Sequence, residues 1–207
     1  VYKRQIININ GKPFHFQDIE LTYENSHVID ATVAKKNLLD FKRIMDNENI
    51  VFCIMHGTLL GAIREKGFIG HDIDIDTCVL DEQKLIEAIP MLDREGLKLC
   101  RYEPTGIYSF IRDGVYIDVY IVNELKGIMN PFYVRYLYKV IPRKFFKNLK
   151  TMEFLGETFT IPNHTLQLLE FWYGKNWRIP TSNAPSNDVD KVGKFLNKHF
   201  HCFFQNK

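Results

Sequence analysis

The chain has 207 residues, of which 45% are hydrophobic and 14% aromatic, enough to bury a substantial core. Its 27 Lys and Arg residues nearly balance 25 Asp and Glu residues, for a net charge of +2. This balance argues against a protein that coats nucleic acid, and no apolar run approaches the length that spans a bilayer. We therefore expect one α+β domain over residues 1–207.

The N-terminal part of the chain predicts a hairpin, a helix, a strand and a second helix. An Asn-Gly turn signal joins "QIININ" to "PFHFQDIEL", so residues 5–21 are predicted to form a β-hairpin. Apolar residues recur at every third or fourth position over 31–47, as in an amphipathic helix. The run "IVFCIM" (50–55) has the length of a buried strand, and "TLLGAIRE" after Gly57 is predicted to be a short helix.

The middle of the chain predicts a strand, a helix and three more strands. The first strand is predicted over 71–80, and Asp81 would cap a helix over 82–95. Pro90 is expected to kink or shorten that helix, because proline lacks the N–H that a helix interior uses. Three further strands are predicted over 97–102, 107–112 and 115–122.

The C-terminal part is predicted to be mainly helical and aromatic. A tyrosine-rich, basic segment over 131–149 is interpreted as helix. The stretch "TMEFLGETFTIP" (151–162) predicts a strand pair, followed by a helix over 164–173. A loop-like tail leads to a last predicted helix over 188–200.

Cysteine and lysine patterns bear on location. The four cysteines include no C-x-x-C pair, and Cys53 and Cys78 lie in apolar runs, which predicts buried free thiols in a reducing compartment. We therefore expect a cytoplasmic protein. The basic cluster within 143–150 leaves peripheral binding at the inner membrane face open, although such runs are more often a solvated helix face.

An acidic cluster suggests a metal site. Asp72, Asp74 and Asp76 alternate with isoleucines on the predicted strand 71–80, and alternate strand residues share a face. Asp118, in "GVYIDVYIV", would project a fourth carboxylate toward the same spot. Such crowding is costly unless a cation lies among the oxygens, and carboxylates suit Mg²⁺ or Mn²⁺. We predict metal binding by Asp74, Asp76 and Asp118, with Asp72 either a ligand or next to one.

A phosphate site is predicted beside these acids. A strand that ends at Gly57-Thr58 and is followed by a helix offers backbone N–H groups to an anion, and glycine permits close approach. Arg64, Lys66 and Arg112 are candidates for binding phosphate oxygens. Two alternatives remain open, since the Thr58 hydroxyl could cap the helix and Arg64 could pair with a neighbouring acid.

The combined pattern resembles the LicD/fukutin-related family. "GTLLGAIREKGFIGHDIDID" is similar to the family's signature, and "FLGETFTIP" and "LLEFWYGKNWRIP" resemble later elements in the same order. Gly70-His71 stands where the family commonly has Pro-Trp. The resemblance implies a nucleotidyltransferase-like mixed β-sheet flanked by helices, with a hairpin extension over 1–30, a catalytic core over 31–130 and a helical, aromatic part over 131–207.

The resemblance also implies an activity. It is the metal-dependent transfer of a phospho-alcohol, such as phosphocholine, from a CDP-activated donor to a glycan hydroxyl of a surface polysaccharide, with release of CMP. Asp72 or Asp118 would accept the proton of that hydroxyl. The residues that match the family's motif are the loop residues Gly57, Thr58 and Arg64 and the acids Asp72, Asp74, Asp76 and Asp118.

Two other functions remain open from the sequence. A nucleotidyltransferase would add NMP to a small molecule or protein and release pyrophosphate instead of CMP. A non-catalytic nucleotide- or glycan-binding module would keep the same scaffold, although the intact set of aspartates argues against it. His56 and His71 are predicted to be structural. Several aromatic residues could either stack on a ligand or belong to the core, namely Tyr133, Tyr136, Tyr138, Trp172, Tyr173 and Trp177.

Overall fold

The structure, a computed structural model, describes residues 3–19, 27–125 and 131–180. The helices of this part are α1 (Ala31–Asn47), α2 (His56–Arg64), α3 (Glu82–Arg94) and α4 (Thr165–Tyr173), with a short 3-10 helix at Arg143–Phe146. The strands are β1 (Lys3–Ile9), β2 (Lys12–Asp18), β3 (Phe52–Ile54), β4 (Ile75–Val79), β5 (Lys98–Glu103), β6 (Ile107–Arg112), β7 (Val115–Glu124), β8 (Tyr133–Tyr136), β9 (Lys139–Pro142), β10 (Lys150–Phe154) and β11 (Glu157–Ile161).

A seven-stranded mixed sheet lies at the centre of the molecule. Its order is β3-β4-β7-β6-β5, and β8 and β9 continue the sheet from β7. β4 and β7 run parallel, whereas the other neighbouring strands are antiparallel. The predicted α+β class, a mixed sheet flanked by helices, is confirmed. None of the helices in the described ranges has both the length and the apolar content that crossing a membrane requires.

The two faces of the sheet have different partners. On one face, Phe110 packs against Phe41 of α1 with ring centroids 6.4 Å apart, and Tyr108 donates its hydroxyl to Glu82 of α3 at 2.9 Å. Phe110 and Tyr108 pair with Ile117 and Val119 of β7. Because side chains alternate along a strand, the residue between that pair projects from the opposite face. That residue is Asp118.

The N-terminal elements follow the sequence closely. β1 and β2 pair around the Asn-Gly turn, as predicted for 5–21. The hairpin lies against β5, where the Ile19 N–H donates to the Cys100 carbonyl at 2.8 Å. The first helix spans the predicted residues 31–47, because the Asp30 carboxylate accepts hydrogen bonds from the backbone N–H groups at its start.

The strand predicted over 71–80 is shorter than expected. β4 begins only at Ile75, so Asp72 and Asp74 precede the strand and Asp76 alone of the three acids is part of it. The cause is local: the Asp72 N–H donates to the Ile69 carbonyl in a turn, and the Asp72 carbonyl accepts from Ile29 outside the sheet. The three acids therefore approach one site from a turn and a strand rather than from one strand face.

The helix predicted over 131–149 is wrong. This segment forms the β8–β9 hairpin and the short 3-10 helix. Val134 and Tyr136 are buried whereas Tyr133 and Arg135 are half-buried, an alternation typical of a strand. The end of β7 provides the backbone groups with which this strand pairs. The basic and aromatic spacing that resembled a helix is a hairpin in which alternate residues share a face.

Most of the remaining boundaries agree with the predictions. The α3 helix continues through Pro90 to Arg94, so the expected shortening is wrong. Buried Leu85 and Leu92 on either side of the proline hold the helix against the core. The strands predicted over 97–122, the strand pair over 151–162 and the helix over 164–173 are confirmed. The helix predicted over 188–200 lies outside the described residues.

Candidate active site

The turn between β3 and α2 binds the acid on β4. The backbone N–H of Gly57 donates to Asp76 Oδ2 at 2.8 Å, and the Thr58 hydroxyl accepts from the Asp76 N–H at 2.9 Å. Thr58 is fully buried. Its hydroxyl therefore fixes β4 to the start of α2, where no side chain caps the helix, so the alternative of a Thr58 cap is wrong and its contact with phosphate stays a prediction. His56, the first residue of α2, has a φ of +37°, a left-handed conformation that is costly for a residue with a Cβ.

Three carboxylates line one cavity beside this turn. The cavity has a volume of about 470 Å³, and Asp72, Asp74 and Asp76 all contribute to its wall. The Oδ2 atom of Asp72 is buried and finds no hydrogen-bond donor in the described part of the chain. A buried carboxylate oxygen without a donor is costly, so this atom is suited to a ligand that supplies positive charge or a proton.

The fourth predicted acid, Asp118, lies behind the cavity. It pairs with Asp76 in the parallel register of β4 and β7, but it does not line the cavity and is only 4% exposed. The Ser109 hydroxyl donates to Asp118 Oδ1 at 2.5 Å, and the Arg101 guanidinium lies 3.8 Å from Oδ2. The structure thus brings the four predicted acids together, with three facing the cavity and one bonded within the sheet.

Burial and mutual repulsion make the carboxylates of the cluster hard to ionise. Burial, followed by the charges of Asp118 and Asp72, raises the pKa of Asp74 to about 8. Burial likewise raises the pKa of Asp72, and it raises that of Asp76 well above its ordinary value. Within the described ranges, no three His, Cys, Asp or Glu side chains already converge as ligands of an ion. The crowded oxygens nevertheless fit a hard divalent cation, which would relieve their repulsion.

Aromatic rings line the same cavity as the acids. The His56 Nε2 and the Tyr136 hydroxyl share a hydrogen bond of 2.6 Å, and the Tyr120 hydroxyl donates to Asp76 Oδ1 at 3.2 Å. The His56 ring lies 4.9 Å from that of Trp172. Burial, and then the charge of Lys139, lowers the pKa of His56 to about 4. A neutral imidazole packed among rings agrees with the structural role predicted for His56.

Arg112, predicted to bind phosphate, lies elsewhere. Its guanidinium donates to Asn37 Oδ1 at 2.8 Å, to Asp40 Oδ2 at 2.7 Å and to the Glu95 carbonyl at 3.0 Å. These partners lie on α1 and after α3, on the helix-covered face of the sheet. Because Arg112 does not line the cavity, that prediction is wrong, and its role is to join α1 and α3 to the sheet.

Two other predicted cations also lie outside the cavity wall. Arg64 donates to Glu65 Oε1 at 2.5 and 3.1 Å and to the Trp177 carbonyl at 3.4 Å. This arrangement confirms the alternative that Arg64 pairs with its neighbour. Lys66 is exposed and follows the end of α2. Neither residue lines the cavity, so the structure does not bring these two cations to the acids.

Sequence reasoning missed several residues that the structure places at the site. Tyr120 was detectable, because it stands two positions after Asp118 on the same strand and therefore on the same face. Ser109 and Arg101 carried no local signal, since only the pairing of β6 and β7 and the packing of β5 bring them to Asp118. Lys139 was hidden by the helix predicted for its segment.

A strand, a glycine turn and a helix that meet acids from two adjoining parallel strands define a nucleotidyltransferase-type domain. Comparison with known families agrees with this class. The family model described as LicD/FKTN/FKRP, nucleotidyltransferase domain, matches residues 49–164. The chain therefore belongs to the LicD/FKTN/FKRP family, as the sequence motifs predicted.

The individual proteins that match this chain share limited sequence identity with it. An uncharacterized protein of Rickettsia typhi is 24% identical over 194 residues, which cover 89% of this chain and 58% of the relative. An uncharacterized protein of Rickettsia prowazekii is 31% identical over 90 residues, or 42% of this chain and 32% of the relative. The chain thus spans under two thirds of both proteins. Among solved structures, the lincosamide antibiotic adenylyltransferase LnuA bound to lincomycin matches with a TM-score of 0.49 and 12% identity, covering 83% of this chain and 96% of that one.

Proposed function

We propose that the protein transfers a phospho-alcohol from a CDP-activated donor to a hydroxyl of a glycan and releases CMP. The observation that carries this proposal is the cavity into which Asp72, Asp74 and Asp76 face, with a buried Asp72 oxygen that lacks a donor among the described residues. Membership of the LicD/FKTN/FKRP family supports a transferase of this type. The cavity volume of about 470 Å³ is of the size that a small-molecule ligand occupies.

We assign the binding of Mg²⁺ or Mn²⁺ to Asp74 and Asp76. Both line the cavity, and burial, followed by the neighbouring carboxylates, raises their pKa values, a cost of ionisation that a cation would offset. When bound, the ion supplies positive charge to the carboxylates and to the phosphate oxygens of the donor. Asp118, which the sequence also suggested as a ligand, supports Asp76 from the neighbouring strand.

Other residues of the chain would accept the proton of the attacking hydroxyl and orient the Asp76 carboxylate. The acceptor hydroxyl oxygen attacks the phosphorus that bears the alcohol, and the bond from that phosphorus to the oxygen shared with CMP breaks. The hydroxyl proton passes to Asp72, because of the two candidate bases only Asp72 lines the cavity. The Gly57 N–H and the Tyr120 hydroxyl hold the Asp76 carboxylate in a fixed orientation.

A donor panel tests the proposal. CDP-choline, CDP-ribitol, CDP-glycerol and CDP-ethanolamine are each added with Mg²⁺, and the melting temperature is measured, because a ligand of the native state raises it. Donors that bind are then assayed for metal-dependent release of CMP. We expect at least one donor to bind and to release CMP. A protein that binds none of the four and releases no CMP contradicts the proposal.

The second candidate is nucleotidyl transfer, which the description of the matching family model as a nucleotidyltransferase domain favours. The same acids would serve this reaction, but the acceptor would attack the α-phosphorus of a nucleoside triphosphate. The leaving group separates the two functions. Release of pyrophosphate from CTP or ATP, without release of CMP from a CDP donor, would establish nucleotidyl transfer.

A further inference from the structure

The cavity needs a positive side chain for the donor's phosphates, and the three candidates suggested by sequence do not line it. Arg112 is bonded to Asn37 and Asp40, Arg64 pairs with Glu65, and Lys66 lies on the outer surface. Of the lining residues that the structure describes, Lys139 is the single lysine or arginine. We propose that Lys139 is the residue that binds the diphosphate of the donor, an inference that rests on the proposed function for the nature of the donor.

The strand register places Lys139 on the same face of the sheet as the acids. Asp118 pairs with Asp76, and Val122, at an even spacing from Asp118 on β7, projects from the same face. Val122 pairs with Tyr136 of β8, and Tyr136 pairs with Lys139 of β9. Because directly paired residues project to the same side of a sheet, this path leads from the acid cluster to Lys139 without changing faces.

Packing fixes the position of Lys139 at the cavity wall. Tyr136, its pairing partner, is only 1% exposed and stacks on Tyr120 with ring centroids 5.4 Å apart. Tyr120 in turn donates to Asp76. The Lys139 Nζ lies 5.6 Å from the centroid of the Trp172 ring, which is also part of the cavity wall. The ammonium is therefore held against the aromatic residues that line the same cavity as the carboxylates.

This position suits a diphosphate between two centres of positive charge. A cation held by Asp74 and Asp76 would supply positive charge to some phosphate oxygens, and the Lys139 ammonium would donate N–H groups to other oxygens of the same diphosphate. As the bond to the leaving phosphate breaks, negative charge grows on CMP, and a nearby ammonium stabilises it. The competing explanation is that Lys139 serves only as a cation–π partner of Trp172.

The experiment measures binding by isothermal titration calorimetry with Mg²⁺ present, using CDP and inorganic pyrophosphate as separate probes. The variants are Lys139→Met, which keeps much of the apolar stem, and Lys139→Arg, which keeps the charge. Lys144→Met is the matched control, because Lys144 lies 5.1 Å from the Phe145 ring and bonds to Gln167 but does not line the cavity. The melting temperature of each variant is measured in parallel.

We expect Lys139→Met to bind both probes about tenfold more weakly, or worse, with Lys139→Arg and Lys144→Met close to wild type. A lowered melting temperature with unchanged affinity for pyrophosphate would show a structural role and overturn the inference. Should Lys139→Met fail to fold, Lys139→Gln is judged by the same criterion.

The two probes also separate this inference from the proposed function. If the wild type binds pyrophosphate but not CDP, and Lys139→Met loses pyrophosphate, the CDP donor is wrong while the assignment of Lys139 stands. If the wild type binds CDP and Lys139→Met binds it equally well, the assignment is wrong while the proposed function stands. A wild-type protein that binds neither probe overturns both.

Discussion

Asp72 Oδ2 lies directly over Gly57, so closely that a Cβ added at Gly57 would come within 2.5 Å of it. Glycine is thus favoured here by the close approach of the Asp72 carboxylate rather than by a left-handed backbone. The Asp72 side chain can rotate away from an added methyl group, whereas its oxygen cannot stay in place. The contact joins the turn before α2 to the acid cluster.

Gly57→Ala is therefore expected to reduce activity more than stability. We expect turnover to fall about a hundredfold, because displacing a reacting group by about 1 Å has an effect of that size, with a change in unfolding free energy of about 1 kcal/mol. Steady-state kinetics and urea denaturation measure the two effects. Gly67→Ala is the control, since a Cβ there meets no atom within 4 Å. Equal activity of both variants would contradict the role of Gly57.

Asp74→Asn should abolish turnover without loss of stability. The amide keeps the shape of the side chain but removes the negative charge that a cation requires, so we expect a decrease of about a thousandfold or more. Without metal and well below pH 8 the melting temperature should stay nearly the same, because the raised pKa of Asp74, about 8, already keeps its carboxyl as neutral as the amide. Asp113→Asn, in an exposed turn with a φ of +52° that asparagine tolerates, is the control. Normal turnover in Asp74→Asn would refute the metal assignment.

Stability without metal should fall as the pH rises. The pKa of Asp74 is about 8 in the folded protein, against an ordinary value of 3.8, so the folded state binds more protons between these values. Stability from this group is therefore complete at low pH and is lost as the pH rises toward about 8. Calorimetry between about pH 6.5 and about pH 8 in EDTA should show a falling melting temperature, which Mg²⁺ should largely abolish.

The pH range of this experiment starts at about 6.5 because His56 affects stability only below that pH. Its pKa is lowered to about 4, so its contribution to stability is lost as the pH falls below about 6.5, the opposite direction. Asp74→Asn serves as the control, because its slope in EDTA should be shallower than that of the wild type. An identical slope in EDTA and in Mg²⁺ would show that no cation relieves the carboxylates.

Arg112→Met should destabilise the fold and leave donor binding unchanged. The substitution removes three hydrogen bonds and leaves the buried Asn37 Oδ1 without its guanidinium donor, so we expect a loss of about 2–3 kcal/mol in urea unfolding. Arg43→Met is the control, because Arg43 is 51% exposed and its pairs should contribute under about 1 kcal/mol. If Arg112→Met raised the KM for the donor without changing stability, Arg112 would have to contribute to donor binding.

Sequence patterns predicted the sheet because strands depend on local alternation, and they predicted the acid cluster because its three aspartates stand close together in the chain. The strands around Asp118 alternate strongly, and the motif around Asp72 to Asp76 is dense enough to show a site before any pairing is known. The same alternation could have corrected the prediction that Arg112 binds phosphate. It shares a strand face with the core residue Phe110, which places it under the helices rather than over the cavity.

Other parts of the site depend on pairing that spacing does not encode. Ser109 reaches Asp118 only through the register of β6 and β7. The segment holding Lys139 has tyrosines and cations at spacings compatible with either helix or hairpin, and pairing with the end of β7 decides between them. Thr58 was equally suited to a phosphate contact or to helix capping. In the structure its hydroxyl instead accepts a hydrogen bond from the Asp76 N–H, which β4 positions.

The β8–β9 hairpin has a consequence for how members of this family diverge. Within the described ranges it joins the rest of the sheet through Val122, Asn123 and Glu124 at the far end of β7, beyond the part of that strand paired with β4. Its length and composition can therefore change while the acid-bearing strands keep their register. We expect that exchanging this hairpin between two relatives will exchange their ligand preference, while the type of reaction stays that of the protein that receives the hairpin.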